Sequence, residues 1–160
     1  MKKPFKLLFV LLLVLALASC VTYDAEEVIT EKQLIVEDIE GTASDIYIKT
    51  RSWMSETFVS SESVIDFENQ EAGIIKGNWT CNISSGLSTA RIRCGVTVEC
   101  QDGRARITIT PGVVEYWNSA SYVWQTNSVV TENSADIYNS EASSLIASFA
   151  LAMKSTPEVW

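Results

Sequence analysis

Apolar and polar positions alternate through the middle of the chain, as they do in half-buried β-strands. The alternating runs, separated by turn-forming sequences, cover residues 65–68, 75–83 and 92–109. A short apolar run at 34–36 predicts one further strand before them. Thr110-Pro111-Gly112 is expected to bend or end the last strand, because proline cannot donate to a strand ladder. Residues 113–126 are then expected to be irregular and rich in aromatic side chains.

The Asp102-Gly103 dipeptide predicts a two-residue hairpin, because a type I′ turn needs positive φ at both central positions. That turn sets the register of the two flanking strands. The expected opposite pairs are Gln101–Arg104, Cys100–Ala105, Glu99–Arg106, Val98–Ile107 and Val96–Ile109. Every pair joins side chains of the same face, which is the consistency that a hairpin requires.

Two segments have the periodicity of amphipathic helices. Over residues 43–59, apolar side chains recur at helical spacing behind a capping-box sequence that begins at Thr42. A second apolar stripe runs from about Ser134 to Lys154. The predicted order is therefore β-α-β-β-β-β-α. This is an α+β fold in which both helices pack on one face of a mostly antiparallel sheet.

The first residues are typical of an export signal. Three lysines precede an apolar run from Leu7 to Ala18, which is too short to span a bilayer. Leu17-Ala18-Ser19-Cys20 resembles the bacterial lipoprotein box, in which the cysteine is acylated and becomes the mature N-terminus. We therefore expect a signal peptide at 1–19, a lipidated Cys20 with an acidic tether at 20–33, and one domain at 34–156. The alternative is an ordinary signal peptide that happens to contain a cysteine.

Residues 46–77 resemble an uncharacterised family of bacterial envelope lipoproteins, the domain of unknown function 4468. The resemblance rests on Trp53, on Ser63-Val64-Ile65 and on the segment from Glu71 to Gly77, and it extends over about residues 34–116. It implies a TBP-like fold. The predicted arrangement, a sheet with two helices on one face, is also described as helix-grip-like. The family has no assigned activity, so the resemblance transfers no catalytic residue, and a shared fold does not imply a shared function.

Charge and composition narrow the classes of function. The chain has 12 basic and 20 acidic residues, a net charge of −8 and no histidine. Removing residues 1–19 takes away three lysines, which leaves a net charge of −11. Nucleic-acid binding needs a basic surface, so we expect no nucleic-acid partner. Without histidine the commonest general base and metal ligand are missing, and we expect no enzyme, no metal and no cofactor.

Three cysteines remain once Cys20 is assigned to lipid. Cys81, Cys94 and Cys100 all fall on inward positions of the predicted strands. If Ile83 lies opposite Ile92, Cys81 lies opposite Cys94, and a disulfide between them is one option. The favoured interpretation is three small core side chains, since a free cysteine packs as a small apolar group.

Two groups of residues are candidates for binding. The aromatic segment contributes Tyr116, Trp117, Tyr122 and Trp124. The outward sheet face contributes Arg91, Arg93, Arg104 and Arg106, which could receive an anion or lipid headgroups, although a solvated face paired with Glu99 is the simpler interpretation. A pocket lined by Trp53, Trp79 and Phe149 would favour a small apolar ligand instead. Exposed Trp117 and Trp124 would favour a protein or a glycan.

The favoured function is a lipid-anchored cell-envelope domain that binds a protein or a small ligand without catalysis. It would reach the membrane through its N-terminal lipid, as an outer-membrane lipoprotein facing either the periplasm or the cell surface. The alternatives are a structural or assembly factor in an outer-membrane complex and, less favoured, an enzyme of unknown class.

Overall fold

The computed structural model of the protein describes residues 29–58, 65–84, 89–127 and 130–155. Within these residues, six strands and two helices follow one another. They are β1 (Lys32–Val36), α1 (Ala43–Thr57), β2 (Ile65–Asn69), β3 (Ile74–Asn82), β4 (Ala90–Gln101), β5 (Arg104–Asn118), β6 (Val123–Asn127) and α2 (Glu132–Lys154). The predicted signal peptide, Cys20 and the first part of the tether lie outside the described residues.

The strands form one antiparallel sheet in the order β1-β5-β4-β3-β2, and β6 also pairs with β5. Because β4 lies along one edge of β5, both β1 and β6 pair with its other edge. β1 pairs with residues 105–109 of β5, and β6 pairs with residues 114–118 of β5. These two strands therefore lie end to end and run in the same direction.

Both helices pack against the sheet, and the core lies between the two layers. α1 contacts β3, β4 and β5, while α2 contacts β1, β3, β5 and α1. The inward side chains of the strands are almost fully buried, and α1 and α2 add Ile46, Met54, Tyr138 and Phe149 to the same cluster. The α+β prediction is confirmed, with one more strand than the sequence indicated.

The helix ends follow from their capping residues. The Thr42 side chain accepts from the backbone N–H of Asp45, and the Asp45 side chain accepts from the N–H of Thr42, so the predicted capping box is confirmed. α2 begins slightly earlier than predicted, because Thr131 is its N-cap and accepts from the N–H of Ser134. Among the described residues, neither helix combines the length and apolar content that crossing a membrane requires.

The β4–β5 hairpin has the predicted register. All five expected pairs are observed, and the Arg106 Nε donates to Glu99 Oε2 at 2.7 Å. Gly103 has φ of +73°, but Asp102 is not in the positive-φ region, so the predicted register forms without the type I′ turn that was expected. The two-residue turn and the face alternation thus agree on one pairing.

The observed register of β3 and β4 differs by two residues from the pairing of Ile83 with Ile92, the condition for a Cys81–Cys94 disulfide. Cys81 lies opposite Ile92, and Cys94 lies opposite Trp79. At the loop end of this hairpin, Ile83 pairs with Ala90 and not with Ile92. The N–H of Ile83 donates to the carbonyl of Ala90, and the N–H of Ala90 donates to Ser84 Oγ. Cys81 and Cys94 are therefore not directly opposite, and the structure has Cys81, Cys94 and Cys100 as free, buried thiols.

The prediction that residues 113–126 are irregular is wrong. β5 continues through Pro111 to Asn118 and turns back into β6. The pairing moves from Cys94–Pro111 to Ile92–Val114, so two residues of β5 lie opposite one of β4. This is a β-bulge, a position at which strands tolerate proline. A Cβ on Gly112 would lie 2.3 Å from the carbonyl oxygen of Arg93, so glycine is required for the close approach.

Candidate functional site

The bulge reverses which side chains of β5 reach the outer face of the sheet, the face away from the helices. Before it, even-numbered residues such as Arg106 and Thr108 face outward; after it, Glu115 and Trp117 do. Two residues on one strand opposite one on the other shift the alternation by one position. The outward end of β5 is thereby placed beside the outward residues of β4 and β6.

Five side chains meet there and form what we call the arginine–tryptophan patch: Arg91, Arg93, Glu115, Trp117 and Trp124. Arg91 Nε and Arg93 Nε donate to the same oxygen of Glu115, at 2.7 and 3.1 Å. The Arg91 guanidinium carbon lies 3.9 Å from the centre of the Trp124 ring. The Trp124 and Trp117 rings meet edge to face with centroids 5.5 Å apart.

The pairing of β5 with β6 explains why the two tryptophans meet. The N–H of Trp117 donates to the carbonyl of Thr89, so its backbone groups point towards β4. Trp117 and Trp124 are therefore a non-hydrogen-bonded pair of an antiparallel ladder, the kind in which opposite side chains lie closest.

Burial differs across the patch. The side chains of Arg91 and Glu115 are 6% and 12% exposed, whereas that of Arg93 is 56% exposed. Burial opposes ionisation of Glu115, but the hydrogen bonds and positive charges of Arg91 and Arg93 outweigh it and lower the pKa of this carboxyl group. The buried pair is a fixed support, and Trp117, 39% exposed, offers the accessible ring.

Replacing Glu115 by glutamine should lower the free energy of unfolding by about 2 kcal/mol at neutral pH, because the amide oxygen can still accept but carries no negative charge to pair with Arg91 and Arg93. The pKa of Glu115 is lowered on folding, so its stabilisation is complete above its ordinary value of 4.5 and is lost as the pH falls through the folded pKa. Urea unfolding of both proteins from pH 7 to pH 3 should show the difference shrinking below that value. A difference independent of pH would contradict this account.

The structure places the other predicted binding residues elsewhere. Tyr116 turns to the inner face and packs against the core. Arg104 and Arg106 lie at the opposite end of the outer face, where Arg104 donates to Gln101 and Arg106 to Glu99. The predicted arginine cluster is therefore two separate groups, and each of its arginines has a polar or acidic partner.

Tyr122 lies at the tip of the β5–β6 hairpin and is 78% exposed. Its φ of +56° is in the left-handed region, which bulky residues rarely adopt. Asn118 holds this turn: its side-chain oxygen accepts from the N–H groups of Ala120 and Ser121, and its carbonyl from that of Tyr122.

The space between sheet and helices is filled where an apolar pocket was considered. The rings of Trp53 and Phe149 meet at 5.0 Å, and Trp53 Nε1 donates to Ser148 Oγ at 2.9 Å. Trp79 is half-buried and packs against the same cluster. A cavity of about 650 Å³ lies instead between α1 and the end of α2, where Lys49 Nζ donates to the carbonyls of Met153 and Ser155. That lysine is thus occupied in capping α2.

The three buried thiols have little chemical reactivity in this environment. Burial raises the pKa of Cys81 and of Cys94 to about 12, and also raises that of Cys100. They are therefore held as neutral thiols, whereas the thiolate is the form that attacks or ligates metals. Among the described residues, no group of three or more acidic or cysteine side chains is placed to hold a metal ion.

One family model matches this chain, over residues 34–112: the domain of unknown function (DUF4468) with TBP-like fold. Residues 34–112 belong to the DUF4468 family. The matched residues run from β1 to the bulge, so they include most of the sheet and all of α1. The predicted resemblance and the TBP-like fold are confirmed, and the family description assigns no activity.

Solved structures agree on the fold. A DUF4468 family protein from Bacteroides ovatus has a TM-score of 0.61 at 14% identity, over 81% of this chain and 89% of that one. A TBP-like protein from Parabacteroides distasonis has a TM-score of 0.63 at 15% identity, over 79% and 93%. An aromatase/cyclase from Streptomyces sp. R1128, with a TM-score of 0.35 at 8% identity over 77% and 88%, is too dissimilar to carry an argument. No curated protein matches the chain.

Proposed function

We propose that this DUF4468 protein is a lipid-anchored cell-envelope protein whose domain is a non-enzymatic interaction module. Cys20 would carry the lipid, residues 21–31 would join it to β1, and the outer membrane would be its location. The arginine–tryptophan patch would be the surface that contacts an envelope protein.

The observation that carries the proposal is the preorganisation of this patch. Trp124 is stacked on Arg91, Arg91 is fixed by Glu115, and Trp117 packs against Trp124. Rings held in place before binding lose little conformational entropy when a partner arrives. Tryptophan and arginine are also enriched among the side chains that dominate protein interfaces.

The charges of the patch favour a protein partner over a small anion. Arg91 and Arg93 both donate to Glu115, so an incoming anion would have to displace a carboxylate that is already well placed. The exposed part of the patch comprises Arg93 (56% exposed) and the Trp117 ring, with Val113 (51% exposed) beside the bulge. An apolar ring beside charged side chains that already have partners is compatible with the mixed apolar and polar character of an interface.

The titratable groups favour binding over catalysis. An acid–base catalyst needs a pKa near the working pH, but the arginines lower the pKa of Glu115 and so keep it ionised. A nucleophilic cysteine needs a thiolate, but burial raises the pKa of Cys81 and Cys94 to about 12. These side chains support the structure instead.

The test is photo-crosslinking in cells that make the protein. A benzophenone amino acid would replace Trp117 in one variant and Ile35 in a matched control, which is 49% exposed at the opposite end of the same face. We expect one adduct of discrete mass from position 117 and none from position 35. Equal adducts from both positions, or none from position 117, would contradict the proposed contact surface.

A further inference from the structure

The tip of the β5–β6 hairpin differs in chemistry from the rest of this acidic protein. Residues 116–127 contain no charged side chain, although the chain as a whole has a net charge of −8. Tyr122 and Val123 at the tip are 78% and 48% exposed. Tyrosine with an apolar neighbour on an uncharged turn is a composition suited to the interface between lipid headgroups and acyl chains.

The backbone holds this tyrosine outward in a rigid way. Three backbone N–H groups of the turn donate to Asn118, at 2.8 to 3.2 Å. They keep Tyr122 at its φ of +56° without help from packing of its ring, which is exposed. Strained backbone that persists in this way is often associated with function.

The chain enters the domain from the side of this tip. β1 continues the line of β6 along β5 and runs in the same direction, so the residues before β1 approach it from the direction of the tip. Thr30 is held there by a hydrogen bond from the Tyr138 hydroxyl to its carbonyl. From Cys20 to Ile29 the chain can extend about 30 Å. The part of β5 that pairs with β6 spans only about 15 Å, so Cys20 can reach the level of the tip.

The opposite end of the domain is acidic. It comprises the β1–α1 loop, the start of α1 and the two turns before β3 and β5, which carry Glu37, Asp38, Glu40, Asp45, Glu71 and Asp102. These carboxylates outnumber the basic Lys49, Lys154 and Arg104 nearby. Anionic headgroups repel such an end, and its charges lose hydration if they are pressed against a bilayer.

We propose that the β5–β6 tip, through Tyr122 and Val123, contacts the headgroup region of the bilayer that holds the anchor. The domain then stands on the membrane with its acidic end outermost. The outer face of the sheet is then roughly perpendicular to the membrane plane. The arginine–tryptophan patch on this face is therefore accessible to a partner. This proposal rests on the lipid anchor of the proposed function, and it adds an orientation and a second contact.

The test uses the full protein, purified from membranes and reconstituted in vesicles of phosphatidylethanolamine and phosphatidylglycerol that contain a nitroxide lipid. An environment-sensitive fluorophore is attached to Tyr122→Cys, with Glu71→Cys at the acidic end as the matched control. The parent protein, whose described cysteines are buried, is treated with the same fluorophore to measure background labelling. Ala120→Cys provides a second tip position if the first variant does not fold.

Compared with vesicles that lack the nitroxide lipid, we expect the fluorescence of the probe at position 122 to be about twofold lower, because the tip contacts the lipid interface. The fluorescence of the probe at position 71 should be unchanged. Flotation of the protein with the vesicles reports the anchor separately. Flotation without selective quenching at the tip would overturn the orientation and leave the anchor intact. Failure to float would overturn the anchor, and the orientation with it. If the emission of the fluorophore at the tip changed in native membranes but not in pure lipid vesicles, the tip would contact a membrane protein and not the lipid, and the proposal would be overturned.

Discussion

Gly112→Ala is expected to lower the free energy of unfolding by about 3 kcal/mol, since over-packing of this kind forces backbone to move. The new Cβ would lie 2.3 Å from the carbonyl oxygen of Arg93, which belongs to the central strand β4. Removing the bulge would relieve that contact only by shifting the alternation of β5, which would turn Glu115 and Trp117 away from the patch. Urea unfolding followed by tryptophan fluorescence measures the loss.

Gly95→Ala is the matched control for this variant. Gly95 lies on the same strand as Arg93, and a Cβ there would meet no heavy atom within 4 Å. We expect its unfolding free energy to remain within about 0.5 kcal/mol of the parent protein. If the two alanine variants were equally stable, the bulge would not require a glycine.

Phe149→Ala is expected to cost about 4 kcal/mol, the range found when a large aromatic side chain is removed from a packed core. Phe149 is fully buried and its ring contacts that of Trp53 at 5.0 Å. The cavity left between α2 and the sheet cannot be closed by small movements of one side chain. Thermal or urea unfolding should show the loss, with the emission of Trp53 changed in the native state.

Leu151→Ala provides the control on the same helix. Leu151 is 74% exposed, so its removal should change the unfolding free energy by less than about 0.5 kcal/mol. If Phe149→Ala proved equally mild, the interior would be a loosely filled pocket, and a small apolar ligand would become the better hypothesis.

The elements that the sequence predicts well are those whose local chemistry allows one solution. Asp102-Gly103 correctly predicts a two-residue connection and its register, including the Glu99–Arg106 ion pair, although Asp102 lacks the positive φ of a type I′ turn. Thr42 and Asp45 satisfy each other's backbone N–H groups, which sets the start of α1. Both are short-range arrangements that need no knowledge of the rest of the fold.

The β3–β4 register could not be obtained from alternation alone. A shift of two residues keeps every side chain on its own face, so pairing Cys81 with Cys94 and pairing it with Ile92 satisfy the pattern equally well. What decides between them is where the hairpin closes, through the hydrogen bonds between Ser84 and Ala90. In the observed register Cys81 and Cys94 are not opposite each other, and both are free thiols.

The candidate site was partly predicted. Arg91, Arg93, Trp117 and Trp124 were recognised as separate groups, but Glu115, which joins them, was missed. Of the two outcomes expected at Thr110-Pro111-Gly112, a bend or the end of the strand, the structure has the first, as a bulge within β5. The available signal was the spacing of apolar residues: Ile109 and Val114 are both buried, five residues apart, which requires one extra residue in the alternation.

The fold, the patch and the hairpin tip fit together in one arrangement. A TBP-like sheet covered by two helices forms the scaffold, and a single bulge converts one corner of its outer face into the arginine–tryptophan patch. The hairpin tip beside that patch is uncharged, and the chain enters the domain from the same side. Recognition at the patch and attachment at the membrane are therefore proposed to act from one end of the domain.

The most direct measurement is the intact mass of the protein purified from membranes, with mass analysis of its N-terminal peptide. The account predicts a chain that has lost residues 1–19 and begins at Cys20 carrying fatty acyl groups. A chain that retains its first residues, or one whose Cys20 thiol is unmodified, would contradict the lipid anchor and the location assigned to the protein.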